Sequence, residues 1–265
     1  MLLIDNSIFQ NFYFEGYTDV NMGSTSDKII LYNNDTCTWS NRAKVALTEL
    51  GLPFEERIIN VDGPRPAEFL KNINPRGLVP VIIFNDEIIV ESAIVCQFLC
   101  DIHPSHLCPP PTTIEGALRR AKITFFTDAY WSKFHTVLFR LFDAHTEADT
   151  ESIVNDAVKG LISEVEPLLA DAKPFFGASE KLTLAEVITG PFLVRALALS
   201  RNGVYPTSLN KHIAEGAPNF HNWATAVSRH PSITAVFDEE VIVQRSWNKR
   251  ARMRKAAGLS DWIKS

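Results

Sequence analysis

The chain has 265 residues, 46% of them apolar and 22% charged, with a formal net charge of −5. That balance suits a globular protein with room for one large domain or two small ones. It gives no global attraction to nucleic acid, and no apolar stretch is long enough to span a membrane, so partners of either kind are not expected. The first residues are acidic and aromatic (Asp5, Phe12, Tyr13, Phe14, Glu15) and lack the basic start and apolar block of a secretory signal. Residues 1–27 read as a polar tail, with Met22 as an alternative start. The four cysteines, Cys37, Cys96, Cys100 and Cys108, then read as reduced thiols of a cytoplasmic protein.

In chain order, residues 28–32 form a β-branched and aromatic run, a strand. A polar turn, Asn33 to Thr36, leads into a helical pattern over 40–50 that carries Ala43, Val45, Ala46 and Leu47. Gly51 stands where a C-terminal cap belongs, with Pro53 just beyond. Residues 54–61 read as a second strand and 67–72 as a short helix. Residues 79–84 and 87–90 make a hairpin about Asn85-Asp86, and 91–102 is helical. This order describes a small mixed sheet flanked by helices. Pro104, Pro109, Pro110 and Pro111 cannot continue a helix, so residues 104–113 are a linker between the domain at 28–103 and a helical one at 114–240. Helices are expected over 115–142, 152–170, 220–227 and 233–236, and Thr183-Leu184-Ala185-Glu186 fits a capping box that opens another. Residues 241–265 form a basic tail, read as a solvated helix in preference to an anion-binding segment.

Three features carry chemistry. Cys37 lies between a strand and a helix. The first turn of a helix offers free N–H groups and a positive dipole end, which stabilise a thiolate, the nucleophilic form. Arg42 and Lys44 add positive potential. The motif ends in Ser40, so no internal disulfide closes across it. The partner thiol must come from outside, and the commonest in the cytosol is glutathione. A small buried cysteine is the competing reading. Second, Asn74-Pro75-Arg76-Gly77-Leu78-Val79-Pro80 precedes a strand. A cis Pro80 would free the Val79 backbone for an extended ligand, although only about 5–6% of such bonds are cis. Third, Glu91-Ser92 opens a helix. Its hydroxyl and N–H groups suit a ligand carboxylate and its acid an ammonium group, or the pair simply caps the helix.

Together these motifs resemble the glutathione transferase family over nearly all of residues 28–237. The run Cys37, Thr38, Trp39, Ser40, Asn41, Arg42 resembles the signature of its omega-like class. The resemblance implies a thioredoxin-like α/β N-terminal domain and an all-α C-terminal domain. Val79 would pair with the cysteinyl part of glutathione beside a cis Pro80. Glu91 and Ser92 would hold the γ-glutamyl end, and Trp39 and Arg65 complete the glutathione site. The chain departs from the family pattern at Thr38, where a proline is usual, at Glu186, where Asp is usual, and at Arg65, the nearest cation to a usual lysine.

Tyr130, Trp131 and Phe134 span more than one helical face and are the candidates for the second-substrate pocket. Cys96, Cys100, His103, His106 and Cys108 resemble a metal cluster, but a proline run interrupts them and no metal is expected. Tyr32 and Ser40 are the rival catalytic hydroxyls, each read as a packing or helix-start residue. The expected activity is glutathione-dependent thiol transfer or reduction through a Cys37–glutathione mixed disulfide. The omega-like resemblance implies small oxidised substrates such as dehydroascorbate and a homodimer. The alternatives are conjugation or isomerisation of an electrophilic metabolite, and a non-catalytic glutathione-binding regulator of the same fold.

Overall fold

The computed structural model describes residues 27–258; residues 1–26 of the expected tail at 1–27 and the last seven residues lie outside the described part. Four strands form one mixed sheet in the order β2-β1-β3-β4, with β1 Ile29–Asn33, β2 Glu55–Ile58, β3 Val81–Phe84 and β4 Glu87–Val90. β1 is buried at all five positions because both of its faces are covered. Its period of two divides the core. Ile29 and Leu31 join the large cluster with Ala43 and Leu47 of α1 (Thr38–Glu49) and Val95 and Leu99 of α3 (Ser92–Ile102). Ile30 and Tyr32 face the other way, onto Phe69 of α2 (Ala67–Asn72). β2 is shorter than residues 54–61, and its Glu-Glu-Arg-Ile run is wholly exposed at the sheet edge.

Strand direction brings the three motifs together. β1 and β3 are antiparallel, as are β3 and β4, so Tyr32, Val81 and Val90 lie in one row across the sheet. The chain leaving β1 toward Cys37, the chain entering β3 from Pro80 and the chain leaving β4 toward Glu91 therefore meet at one end of the sheet. β2 runs parallel to β1 and delivers the loop containing Asp62 and Arg65 to the same end.

Beyond the prolines the chain is helical: α4 (Ile114–Ala129), α5 (Thr136–Phe139), α6 (Glu147–Gly160), α7 (Leu184–Arg201), α8 (Ser208–Gly216), α9 (Pro218–Arg229), α10 (Pro231–Thr234) and α11 (Glu239–Ala256). The linker is stitched to this half, since the Leu184 N–H donates to the Leu107 carbonyl at 2.7 Å. The single helix expected over 115–142 is broken by a π-helical turn at Tyr130–His135. Gly160 of α6 crosses that turn so closely that a Cβ would stand 2.3 Å from the Lys133 carbonyl oxygen.

The expected tail from 241 is not a solvated segment over its described part. Ile242, Ser246, Arg250 and Arg254 form a buried i, i+4 stripe of α11, and Arg250 and Arg254 donate to the carbonyls of Val204 and Ala144. The stripe is mostly polar, so its burial is invisible to a hydrophobic-periodicity reading.

Glu186 explains one departure from the family pattern. Oε2 accepts from the Thr183 N–H and hydroxyl, each at 2.7 Å, and Oε1 from the Phe176 N–H at 2.8 Å and Trp223 Nε1 at 2.7 Å. The longer side chain caps α7 with one oxygen and ties α7 to a loop and to α9 with the other.

Candidate active site

Cys37 is the N-cap of α1. Its N–H donates to the Asn34 carbonyl at 2.9 Å, and its carbonyl accepts the first helical hydrogen bond, from Asn41, at 3.0 Å. It is partly exposed, whereas Cys96, Cys100 and Cys108 are buried. Burial pushes the Cys96 thiol up to about 12 and raises Cys100 and Cys108 as well. Those three cysteines lie in the core, while His103 and His106 pair with Asp27 and Glu49.

Thr38, the residue that replaces the usual proline, accepts a hydrogen bond on its hydroxyl from Nη1 of Arg195 at 3.2 Å. Arg195 Nη2 donates to the Ser246 hydroxyl at the same distance. Burial lowers the pKa of Arg195, and Tyr205 and Cys37 act in the opposite sense. This guanidinium therefore bridges α1, the helix that Cys37 caps, to α7 and α11. Sequence reading missed it, although a signal exists: it is the first cation of α7, eleven residues into an otherwise apolar stretch.

Arg42, already expected to add positive potential beside Cys37, is the second guanidinium that links helices here. It is 2% exposed, and its guanidinium carbon sits 4.7 Å from the Trp39 ring, 4.9 Å from Trp131 and 4.7 Å from Phe192. Nε donates to the Ile188 carbonyl at 2.7 Å and Nη1 to the Ser92 hydroxyl at 3.1 Å. Burial lowers its pKa to about 10, so it stays cationic at neutral pH. Arg42 thus ties α1 to the Glu91-Ser92 helix start through the interior.

The remaining expected glutathione residues fall as follows. The Val79–Pro80 bond is cis. Glu91 has φ +67° and pairs its carboxylate with Arg76 on the surface, while Ser92 is buried. Arg65 is committed within its own loop, donating to the carbonyls of Gly77, Asn60 and Gly63. Tyr32 receives a hydrogen bond from Arg57 at 3.0 Å and Ser40 is fully buried, so neither rival hydroxyl lines the cavity beside Cys37.

That cavity, of about 860 Å³, lies between the start of α1, the loop after β2, and the faces of α5, α7 and α11. Its aromatic wall is His135, Phe139, Phe142, Phe192 and Tyr205, with Trp39 at the edge. The expected trio is corrected here. Tyr130 and Phe134 are fully buried and pack on Phe220, because the π-helical turn rotates them into the core and turns the next residues outward. Trp131 does not line the cavity itself but packs behind its wall, stacked on Trp39 at 5.0 Å and 8° and edge-on to Phe192 at 4.7 Å. His135 is buried among Trp131, Phe139 and Phe192; burial, reinforced by Arg42 and Arg195, pushes its imidazole down to about 3 and keeps it neutral.

The family model for the glutathione S-transferase N-terminal domain matches residues 31–110. Glutathione S-transferase omega-1 of Sus scrofa is 25% identical over 80% of this chain and 81% of its own length. Glutathione S-transferase DHAR2 of Arabidopsis thaliana is 26% identical over 81% of this chain and 90% of its own. These matches liken the chain to the glutathione transferase family. Its likeness is omega-like, and the crystal structure of glutathione transferase Omega 1C from Trametes versicolor shares the fold, with a TM-score of 0.72 and 22% identity over 86% of this chain and 98% of that one. The four-stranded domain is accordingly the thioredoxin-like half of the glutathione transferase fold, and α4 to α11 form the helical half of that fold. Among the described residues, no helix is long and apolar enough to cross a membrane.

Proposed function

We propose that this glutathione transferase family member is a glutathione-dependent thiol transferase or reductase working through Cys37. The observation that carries the reading is the placement of one partly exposed thiol at the start of α1, at the sheet end where the Val79–Pro80 bond and the Glu91-Ser92 helix start converge, while the other three thiols are buried. The Cys37 thiolate attacks the glutathionyl sulfur of a mixed disulfide. The S–S bond breaks, and the second thiol leaves with the bonding pair. A glutathione thiolate then attacks the Cys37–glutathione disulfide, releasing oxidised glutathione and restoring Cys37. The substrate disulfide is reduced by two electrons, and two glutathione units end joined.

Backbone pairing at Val79 beside Pro80 would hold the cysteinyl part of glutathione. Glu91 and Ser92 would hold the γ-glutamyl end, with Trp39 at the margin. Arg65 acts in this reading through the loop whose carbonyls it binds. A small oxidised substrate such as dehydroascorbate would instead take two electrons and two protons from the Cys37 thiol and one glutathione, leaving the same Cys37–glutathione disulfide for a second glutathione to resolve. The reading includes a cytoplasmic homodimer; sedimentation as a monomer at micromolar concentration would remove the dimer. Turnover of hydroxyethyl disulfide, compared with conjugation of an aryl halide, tests the reaction. Disulfide turnover lost in Cys37→Ser supports thiol transfer. Conjugation without disulfide turnover would replace it with the conjugating reading, and neither with a binding role.

A further inference from the structure

The chain as a whole is acidic, yet the cavity beside Cys37 is not. Arg195, Arg245, Lys249 and Arg252 line it, four cations against the single carboxylate of Asp62. Asp62 is already taken by Arg245, with both oxygens within 2.7 Å of Nη2. Arg195 meets only the neutral hydroxyls of Thr38 and Ser246. Lys249 rests its ammonium 4.6 Å from the Phe142 ring centroid. Among the described residues, no carboxylate forms a hydrogen bond or ion pair with Arg195, Lys249 or Arg252.

The spacing along the helix concentrates this charge. Positions 245, 249 and 252 are spaced i, i+4, i+7, one face of α11, and that face is turned into the cavity. Like charges at this spacing repel within a helix. Burial lowers the pKa of Lys249, and Arg195 and Arg252 lower it further, against Asp143 acting in the opposite sense. Such crowding is relieved by an anion seated among the three unpaired cations. The opposite wall is flat and aromatic, with a neutral His135, so it offers no second charge to compete.

We propose that this cavity is the subsite for the leaving thiol of the mixed disulfide, and that it selects leaving thiols that carry a carboxylate or sulfonate on a flat aromatic body. The inference rests on the thiol-transfer reading and adds the substrate class. The aromatic body lies against Phe139, Phe142 and Phe192, the anionic group faces Lys249 and Arg252, and Arg195 reaches from the Cys37 side. Release then follows the balance given above, with an aromatic thiolate as leaving group.

The test uses the full chain and two mixed disulfides of glutathione, with 4-mercaptobenzoate and with the neutral 4-mercaptobenzamide. The KM for the benzoate should be about tenfold lower at low salt, the scale expected when two or three partly exposed cations meet one anion. The ratio should fall toward one in the double variant Lys249→Gln/Arg252→Gln and in 0.5 M salt. No preference in the parent protein, or a preference that survives the double variant, overturns the proposal. So does an equal loss of glutathione affinity in the double variant, which would assign the cluster to glutathione's own carboxylate. Calorimetry of 4-(methylthio)benzoate and its amide with Cys37→Ser separates the two readings. Selective anion binding with no turnover of either disulfide would sink thiol transfer and leave the subsite standing. Equal turnover of both disulfides would do the reverse.

Discussion

Replacing Cys37 and Ser92 separately should divide chemistry from binding. Ser92 is 5% exposed, and its hydroxyl accepts from Arg42, itself 2% exposed. Among the described residues, the Arg42 Nη2 group has no hydrogen-bond partner. Ser92→Ala therefore leaves a buried cation with one acceptor fewer, at a cost of about 1.5–3 kcal/mol in stability for a hydrogen bond to a charged group. In the proposed role the same hydroxyl would also serve the γ-glutamyl end of glutathione. Its loss should weaken glutathione binding by a similar amount, about 10- to 150-fold. Glu91→Gln should cost about 1 kcal/mol or less, because that carboxylate is exposed and already shared with Arg76. Binding of this kind is uniform between ground and transition states. It should appear in the Michaelis constant while turnover at saturating glutathione changes little. Cys37→Ser removes the covalent intermediate and should abolish disulfide turnover while glutathione still binds. Calorimetry and steady-state kinetics on the three variants read out every part. Full disulfide turnover in Cys37→Ser would refute the assignment of the nucleophile, and an unchanged glutathione affinity in Ser92→Ala would refute the γ-glutamyl role.

Three further outcomes are expected. Cys37 should alkylate on the order of a hundredfold faster than Cys96, Cys100 or Cys108 at neutral pH, because burial keeps those thiols protonated and covered; mass mapping of a timed iodoacetamide reaction checks it, and a faster buried thiol would contradict it. His135 is held at about 3 in the fold against about 6.5 when unfolded, so the unfolded chain binds the proton first; its contribution is intact above pH 6.5 and is lost as pH falls toward 3, at about 1.4 kcal/mol per unit. Urea midpoints from pH 7 to pH 4 should fall less steeply in His135→Gln, and parallel slopes would refute the point. Glu186→Gln keeps the shape but turns one fully shared acceptor into a donor that faces a backbone N–H, so it should cost about 2–4 kcal/mol by equilibrium unfolding; a loss below about 0.5 kcal/mol would mean the four hydrogen bonds are not what holds the start of α7.

Local signals are legible in the chain itself. The apolar run of β1, the Asn85-Asp86 hairpin and the Thr183–Glu186 capping box each depend on residues close in sequence, and each appears where its pattern lies. The capping box of α6 at Thr146 and Asp149 carries the same kind of signature, and it starts that helix ahead of the 152 that apolar spacing suggests. What short-range patterns do not contain is how cations far apart in sequence meet. Arg42, Arg195 and Lys249 belong to three helices, and their periodicities give a helix face without its neighbour. The π-helical turn at Tyr130–His135 exchanged the expected pocket residues for His135, Phe139 and Phe142, because one added residue per turn rotates every side chain that follows. The sequence alone determined the sheet, its flanking helices and the place of Cys37 at a helix start, since these rest on local hydrogen bonding and alternation. Only the tertiary structure decided which charges face the cavity, because that depends on how α7 packs against α1, across spans of 146 and 157 residues, and how α11 packs against α7, across 51.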